Sequence, residues 1–338
     1  MDFRLDDDQL ALRDAVRGLS ERHFSLADVA AREGSPAADA AWRDLTAMGI
    51  FELLVPLEAA TPESGAVTAA VALEELSAHL ATGPVLWTTI TAPLLTGAGI
   101  AAGRVAGVLG SGEPGGPVVV EHAAEADVVI VVHDDRVECS DVASLPATIT
   151  GEPFDPLTPT AVYESVPHGD VIGGPERARA IRLAGTVLAA AQLVGAAQGA
   201  LDVATAYALE RHQFGVPIGS FQAIKHMLSD MYVRVEMARS STYAAAAILD
   251  DERGGNPEHA ASAAKLLAGQ AGIENGRAAV QVLGGMGFTW EMLPHYFLKR
   301  SWVLEEGFGT GESHALALGD ALGAAAGVSV SEGGVSWT

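Results

Sequence analysis

A helix-length run from Pro175 to Glu210 that ends in an abrupt break constrains this chain more than any other feature. No acidic residue occurs from Arg177 to Leu201, and Leu183–Leu201 carries no charge of either sign. Pro175 stands where a first-turn proline is favoured, and the many alanines and glycines that follow let neighbouring helices approach closely. A helix apolar on several sides belongs inside a bundle. Gly215 and Pro217 end the run, and a second helix is expected from about Ser220. The break puts Arg211 and Gln213 on an elbow, where their polar ends can point away from their own helix, and Phe214 is expected to wedge the elbow against apolar neighbours. An arginine beside an amide suits a phosphate-bearing ligand, because guanidinium binds phosphate oxygens bidentately. The same spacing also occurs in an ordinary helix hairpin with a surface arginine.

Beyond the elbow, Ile224, Met227, Leu228, Met231 and Val235 share one helical face, with both methionines read as core. Asn256–Pro257 starts another helix, with Ala263, Leu266, Ile273 and Val280 at helical intervals, and Gly284, Gly285 and Gly287 break it. These antiparallel helices predict an up-and-down bundle. A last helix follows Gly311, and the tail beyond Val328 reads as frayed.

The N-terminal part reads as helices. Asp6 to Asp8 cap one whose Leu12, Val16 and Leu19 share a face. AWRDLTAMGIFELLVP is a second unit ending at Pro56. A third carries Leu73, Leu76 and Leu80 on one stripe and stops before Gly83 and Pro84, with Glu74 and Glu75 read as a solvated face. Near Gly110 the pattern changes: after the loop SGEPGGP come strand-like PVVVEH, DVVIVV, RVECSD and TPTAVYESV, with Asp134 and Asp135 in a hairpin turn. The expected fold is mostly α with a small β insert. Residues 1–110 form a helical domain, 111–172 a β unit that needs its neighbours for stability, 173–328 a helical bundle and 329–338 a tail.

With 338 residues, 49% hydrophobic and 19% charged, the chain is globular and able to hold two or three structural units. A net charge of -23 argues against nucleic acid and against an anionic membrane surface, while leaving room for a local basic pocket. Cys139 is the only cysteine, which excludes an internal disulfide and a multi-cysteine metal site and fits a reducing cytoplasm. His226 and His295 stand alone at packing or surface positions, so no metal site is expected. The opening MDFRLDDDQ is acidic, the reverse of a signal peptide. Leu80–Gly103, with Pro84, Pro93 and five threonines, reads as a poor apolar helix. Leu183–Leu201, with Gln192 and Gln198, reads as a buried bundle helix rather than a membrane span. A cytoplasmic location is the expectation.

Two motifs carry a resemblance. R-x-Q-F-G-x-P-I-x-x-F-Q-x-x-x-H-x-L-x-D-M, from Arg211 to Met231, and QVLGGMGFTWE, from Gln281 to Glu291, resemble the signatures of the acyl-CoA dehydrogenases in the right order. The resemblance covers most of the chain except the middle. It implies an N-terminal helical domain, a middle β domain and a C-terminal four-helix bundle, with FAD as cofactor, an acyl-CoA as substrate and electron-transfer flavoprotein as acceptor. In that family a glutamate takes the proton α to the thioester and the flavin takes hydride from the β carbon. The adenosine diphosphate half of the flavin reaches across a subunit interface. This implies cofactor roles for Arg211, Gln213, Phe214, Gln222, Gln281, Gly284 and Gly285, the glycines allowing close backbone approach.

The departures from the family pattern are as informative. The family's middle domain is larger and lines the flavin ring with a Thr-Glu-Pro stretch and a tryptophan strand. Here only Glu113-Pro114-Gly115-Gly116 resembles the first, and no tryptophan lies between Trp87 and Trp290. The family's base sits either on the long helix, where this chain has Gly185, or in a Tyr-Glu-Gly-Thr stretch whose expected point falls at Phe308 or Gly309. Glu306 and Glu312 are the nearby candidates, and both also read as solvated acids at a helix connection. The whole pattern resembles the shorter, degenerate subunit of the α2β2 acyl-CoA dehydrogenases of actinobacterial steroid degradation. It implies a partner subunit that carries the base, a shared FAD and α,β-desaturation of a bulky, steroid-derived acyl-CoA. Two alternatives stay open: a complete homo-oligomeric dehydrogenase using Glu306 or Glu312, and a flavin-free acyl-CoA binder or scaffold.

Overall fold

The computed structural model describes residues 5–54, 65–101, 103–110, 117–146, 152–165, 168–251, 254–325, 328–331 and 334–337. Pro56 and the Glu113–Gly116 stretch lie outside them. The N-terminal helices are α1 (Asp7–His23), α2 (Asp39–Ala47), α3 (Ala66–Ala78) and α4 (Val85–Ala98). Asp6 caps α1: its carboxylate accepts from the Gln9 amide at 2.8 Å, and the Gln9 side chain accepts from the Asp6 amide at 3.1 Å. Val16 and Leu19 are buried, and Leu12 packs against them.

Two expectations for this part need correction. Leu80–Gly103 contains a regular helix despite its prolines and threonines. Thr88, Thr89 and Thr91 turn their hydroxyls back onto the carbonyls of Pro84, Val85 and Trp87, so those polar groups are satisfied within α4. Glu74 and Glu75 are not a solvated face either. Glu74 accepts from Arg239 Nε and from the Tyr243 hydroxyl, each at 2.8 Å, and Glu75 accepts two bonds from Arg17, at 2.9 and 3.0 Å. Burial raises the Glu74 pKa against the pull of Arg239. The missing signal was tertiary: the cations come from helices distant in sequence.

The β unit starts ahead of residue 111, with β1 (Val105–Leu109). β2 (Val118–Glu121), β3 (Val128–Val132), β4 (Val137–Asp141), β5 (Thr160–Tyr163) and β6 (Asp170–Gly173) follow. One sheet has the order β1-β3-β4-β6, parallel between β1 and β3 and antiparallel elsewhere, and β2 pairs antiparallel with β5. The β3–β4 hairpin turns at Asp134–Asp135 as its sequence implies. β3 is buried on both faces: Val129 and Val131 face a small core with Val120, Ala161 and Tyr163, while Val128, Ile130 and Val132 join the helical core. The unit therefore shares its hydrophobic interior with the helices.

The remainder is α5 (Pro175–Glu210), α6 (Gln222–Asp250), α7 (Pro257–Leu283), α8 (Pro294–Glu306) and α9 (Gly311–Ala325). Among the described residues α5 is the one helix long and apolar enough to cross a membrane, and 72% of its apolar window is buried in the bundle. Its glycines are contact points. A Cβ on Gly195 would lie 2.0 Å from the Glu74 carbonyl oxygen, and one on Gly199 would lie 2.3 Å from the Phe297 ring. α7 buries mostly small residues, among them Ala264, Ala268, Ala271, Gly272, Gly276 and Ala279, together with Asn275 and Lys265. The predicted stripe of Ala263, Leu266, Ile273 and Val280 is only half-buried, because close helix approach selects the small face over the bulky one. Met231 is core, with Met227 packed at its edge. The tail is not frayed: β9 (Val328–Ser331) and β10 (Gly334–Trp337) pair antiparallel, so their backbone groups satisfy one another.

Candidate functional site

The up-down-up order of α5, α6 and α7 brings the end of α5, the start of α6 and the end of α7 to one end of the bundle. Asn275 marks their common level, donating from Nδ2 to the carbonyls of Ala197 (3.3 Å) and Met231 (3.0 Å). Beyond α5 the chain forms a two-strand hairpin, β7 (His212–Gln213) with β8 (Val216–Pro217), and this hairpin is the elbow. Its turn residues Phe214 and Gly215 both have positive φ, +52° and +82°, the pattern of a type I′ turn. Such a turn throws its first residue outward. Phe214 is 93% exposed, with the Phe221 ring edge-on at 6.2 Å, so it does not wedge the elbow.

Arg211, Gln213 and Gln222 are exposed here, and Gln281 and Gly285 are exposed at the end of α7. The four polar side chains have no hydrogen-bond or ion-pair partner among the described residues, so their donors are free for a ligand. Gly284 turns the chain at φ +62°, and a Cβ on Gly284 or Gly285 would meet nothing within 4 Å. The backbone is therefore approachable at this point. Beside it Trp290 stacks on His295 at 4.6 Å, with the Lys299 ammonium 4.0 Å from the Trp290 ring centroid. This donor set, a guanidinium with amides and open glycine backbone, fits the phosphates and adenosine of a dinucleotide. His226 is exposed, and no group of metal-ligating side chains occurs among the described residues.

A cavity of about 550 Å³ lies between α3, α4, the β unit, α5 and α8. Glu306, the last residue of α8, lines it; Glu312, exposed in the first turn of α9, does not. Next to the cavity lies the place where a base on α5 would have to stand. The Phe308 ring fills it: a Cβ on Gly185 would lie 2.0 Å from that ring, and Trp87 covers Phe308 from the other side at 4.9 Å. Phe308 is held there by a left-handed backbone, φ +60°. Buried Lys265 clamps the same loop, donating to the carbonyls of Glu305 (2.6 Å) and Gly309 (2.7 Å). Burial lowers the Lys265 pKa to about 8.

Three further cavity residues escaped the sequence reading. Glu121 ends β2 and points no hydrogen bond at any described residue; burial raises its pKa, against the opposing charges of His122 and Arg300. Arg300 is 6% exposed and bonds Asp155 from Nε at 2.5 Å and the Ala81 carbonyl from Nη1 at 3.0 Å. Gln192 faces the cavity from α5. An acid closing an apolar strand was a visible signal for Glu121. Nothing local marks Arg300, whose carboxylate partner is remote in sequence.

The helical domain, the β unit and the antiparallel bundle define a helix-rich class of fold with an end suited to a phosphate-bearing ligand. The narrower assignment comes from likeness to known proteins. Residues 6–102 match the acyl-CoA dehydrogenase N-terminal domain, and residues 183–323 match the acyl-CoA dehydrogenase C-terminal domain. The chain belongs to the acyl-CoA dehydrogenase family, FAD-dependent oxidoreductases acting on CH–CH bonds. It is 32% identical to acyl-CoA dehydrogenase IpdE2 of Mycolicibacterium smegmatis over 88% of this chain and 93% of that protein. It is also 32% identical to acyl-CoA dehydrogenase FadE34 of Mycobacterium tuberculosis over 87% of this chain, but spans only 45% of that longer protein. Among solved structures, the Tcur3481–Tcur3483 steroid acyl-CoA dehydrogenase (G363A variant) aligns at TM-score 0.79 and 22% identity, covering 94% of this chain and 99% of that one. The ChsE4–ChsE5 complex of Mycobacterium tuberculosis aligns at TM-score 0.78 and 20% identity, covering 95% and 99%. At these identities the structural likeness is one of fold.

Proposed function

We propose that this chain is the accessory subunit of a heteromeric, FAD-dependent acyl-CoA dehydrogenase. It completes a partner's FAD site with Arg211, Gln213, Gln222, Gln281 and the backbone at Gly284–Gly285, and contributes no catalytic base of its own. When bound, FAD supplies the hydride acceptor; this chain's part is to hold the phosphate and adenosine end. Phe214, fully displayed at the hairpin tip, is assigned to contact with the partner or the cofactor. The observation that carries the reading is the Phe308 ring packed against Gly185, which occupies the place of a base on α5. Exposed Leu209, Phe214, Phe221, Tyr232, Val233 and Met237 lie on the elbow and α6, next to the free polar groups, as an apolar surface suited to a second subunit. The paired names of the two structural neighbours support assembly with a second kind of subunit, for which α2β2 is the proposed stoichiometry, and the steroid dehydrogenase among them supports a bulky, steroid-derived acyl-CoA. Electron-transfer flavoprotein is the proposed acceptor. The test is flavin absorbance per chain. No flavin on the chain alone and one per pair with a base-bearing partner subunit is the expected result; a full complement of flavin on the chain alone overturns it.

One observation favours a second reading, a self-sufficient dehydrogenase: Glu306 lines the cavity. Under the accessory reading Glu306→Gln leaves turnover of the assembled enzyme unchanged. A loss of several orders of magnitude would transfer the base to Glu306.

A further inference from the structure

The cavity beside Phe308 is equipped for something other than flavin chemistry. Its walls are largely apolar, with Leu86, Trp87, Phe154, Val303 and Leu304 among them. At about 550 Å³ it is within the size range of small-molecule pockets, roughly 300–1,000 Å³. It also holds unsatisfied polar groups. Arg300 spends Nε on Asp155 and Nη1 on Ala81, but its buried Nη2 has no partner among the described residues. The buried Gln192 Oε1 has none either. The Glu121 carboxyl likewise makes no hydrogen bond among the described residues. Buried polar atoms are nearly always paired, and leaving one unpaired is costly. The two buried atoms, a donor and an acceptor beside the half-buried Glu121 carboxyl, therefore mark where a ligand's hydroxyl belongs.

The charge balance narrows the ligand. Asp155 already neutralises Arg300, while Glu152 and Glu306 add acidic groups to the lining and the nearby His122 ring is taken up by Glu125. A pyrophosphate or a coenzyme A tail would meet carboxylates with no free cation to offset them. We propose that this cavity binds a neutral hydrophobic molecule bearing a hydroxyl group, which accepts from Arg300 Nη2 and donates to Gln192 Oε1 beside Glu121, with no chemistry performed on it. The raised pKa of Glu121 suits the role, since a protonated carboxyl can donate to such an oxygen. The inference does not depend on the accessory-subunit reading, because it concerns binding to the chain alone and requires neither flavin nor partner.

The test uses 6-propionyl-2-dimethylaminonaphthalene, a neutral aromatic ketone whose emission shifts to the blue in apolar surroundings, titrated into the purified full chain at neutral pH. Saturable binding at one dye per chain is expected. Val303→Trp, which fills the cavity from α8, should weaken it at least tenfold with the circular dichroism and melting temperature retained. Leu86→Trp, on the α4 wall, serves as a second block if the first variant melts early. 1-(2-Naphthyl)ethanol should displace the dye about fivefold better than 2-ethylnaphthalene, the worth of one hydrogen bond, and Gln192→Leu, which removes the acceptor of its O–H, should shrink that preference. Failure to bind, indifference to both blocking variants, or equal displacement by the two naphthalenes would each overturn the proposal. Displacement by FAD or an acyl-CoA at lower concentration than by the alcohol would also overturn it, by returning the cavity to cofactor or substrate.

Discussion

The two ends of the bundle treat polar groups in opposite ways. At the elbow and the Gly284–Gly285 turn, Arg211, Gln213, Gln222 and Gln281 stand in solvent with no partner among the described residues, on backbone that nothing crowds. At the cavity, Phe308 and Trp87 are packed against glycines: a Cβ on Gly107 would lie 2.2 Å from the Trp87 ring, as one on Gly185 would lie 2.0 Å from Phe308. One end is built to be finished by another molecule. The other buries its polar groups, an arginine–carboxylate pair among them, beside aromatic rings packed on glycines. A family fold can therefore keep the half of a cofactor site that it lends and rebuild the half that would have served its own chemistry.

The strongest way to break the contrast is Gly185→Glu, which restores an acid on α5. The new side chain must displace the Phe308 ring and bury a charge, so a loss of about 3–5 kcal/mol in denaturant unfolding is expected. Adding Phe308→Ala should return part of it through the shared space. Unchanged stability in the single variant would show that Phe308 does not fill that place.

The loop that holds Phe308 gives a pH signature of roughly 3 kcal/mol. Folded Lys265 has a pKa of about 8, below the 10.5 of an ordinary lysine, so the folded state binds fewer protons between those values. The Lys265 contribution therefore makes the protein more stable as pH rises from about 8 towards 10.5, and it is flat below pH 8. Comparing wild type with Lys265→Met in urea across that range isolates this contribution; equal slopes would refute it.

At the open end the expected effects are on binding rather than on folding. Arg211→Ala should weaken FAD retention in the assembled enzyme about 10–100-fold, the range for losing a charge-assisted hydrogen bond, and leave the unfolding midpoint unmoved. Retention at wild-type affinity would remove Arg211 from the cofactor site. The smallest expected effect is that of Glu312→Gln, exposed on α9 and outside the cavity lining, which should change neither flavin content nor turnover.

Apart from α4, whose prolines and threonines read against a helix, the sequence by itself determined the helices, the strand alternation of β2 to β5, the hairpin at Asp134–Asp135 and the elbow. Each rests on local rules: the Asp6 cap, Pro175 at a helix start, glycine and proline at a break. The elbow residues were legible for the same reason, since a motif of consecutive residues carries its own geometry. The tertiary structure alone decided which polar residues are buried together. Glu74 meets Arg239 and Asp155 meets Arg300 across long stretches of chain, and neither pairing leaves a local trace. It also decided that Phe308 lies over Gly185 and that Phe214 faces outward, one through a left-handed loop clamped by Lys265 and the other through a two-residue turn. Side-chain direction at such points follows from backbone torsion and from what else competes for the space, and a one-dimensional pattern specifies neither.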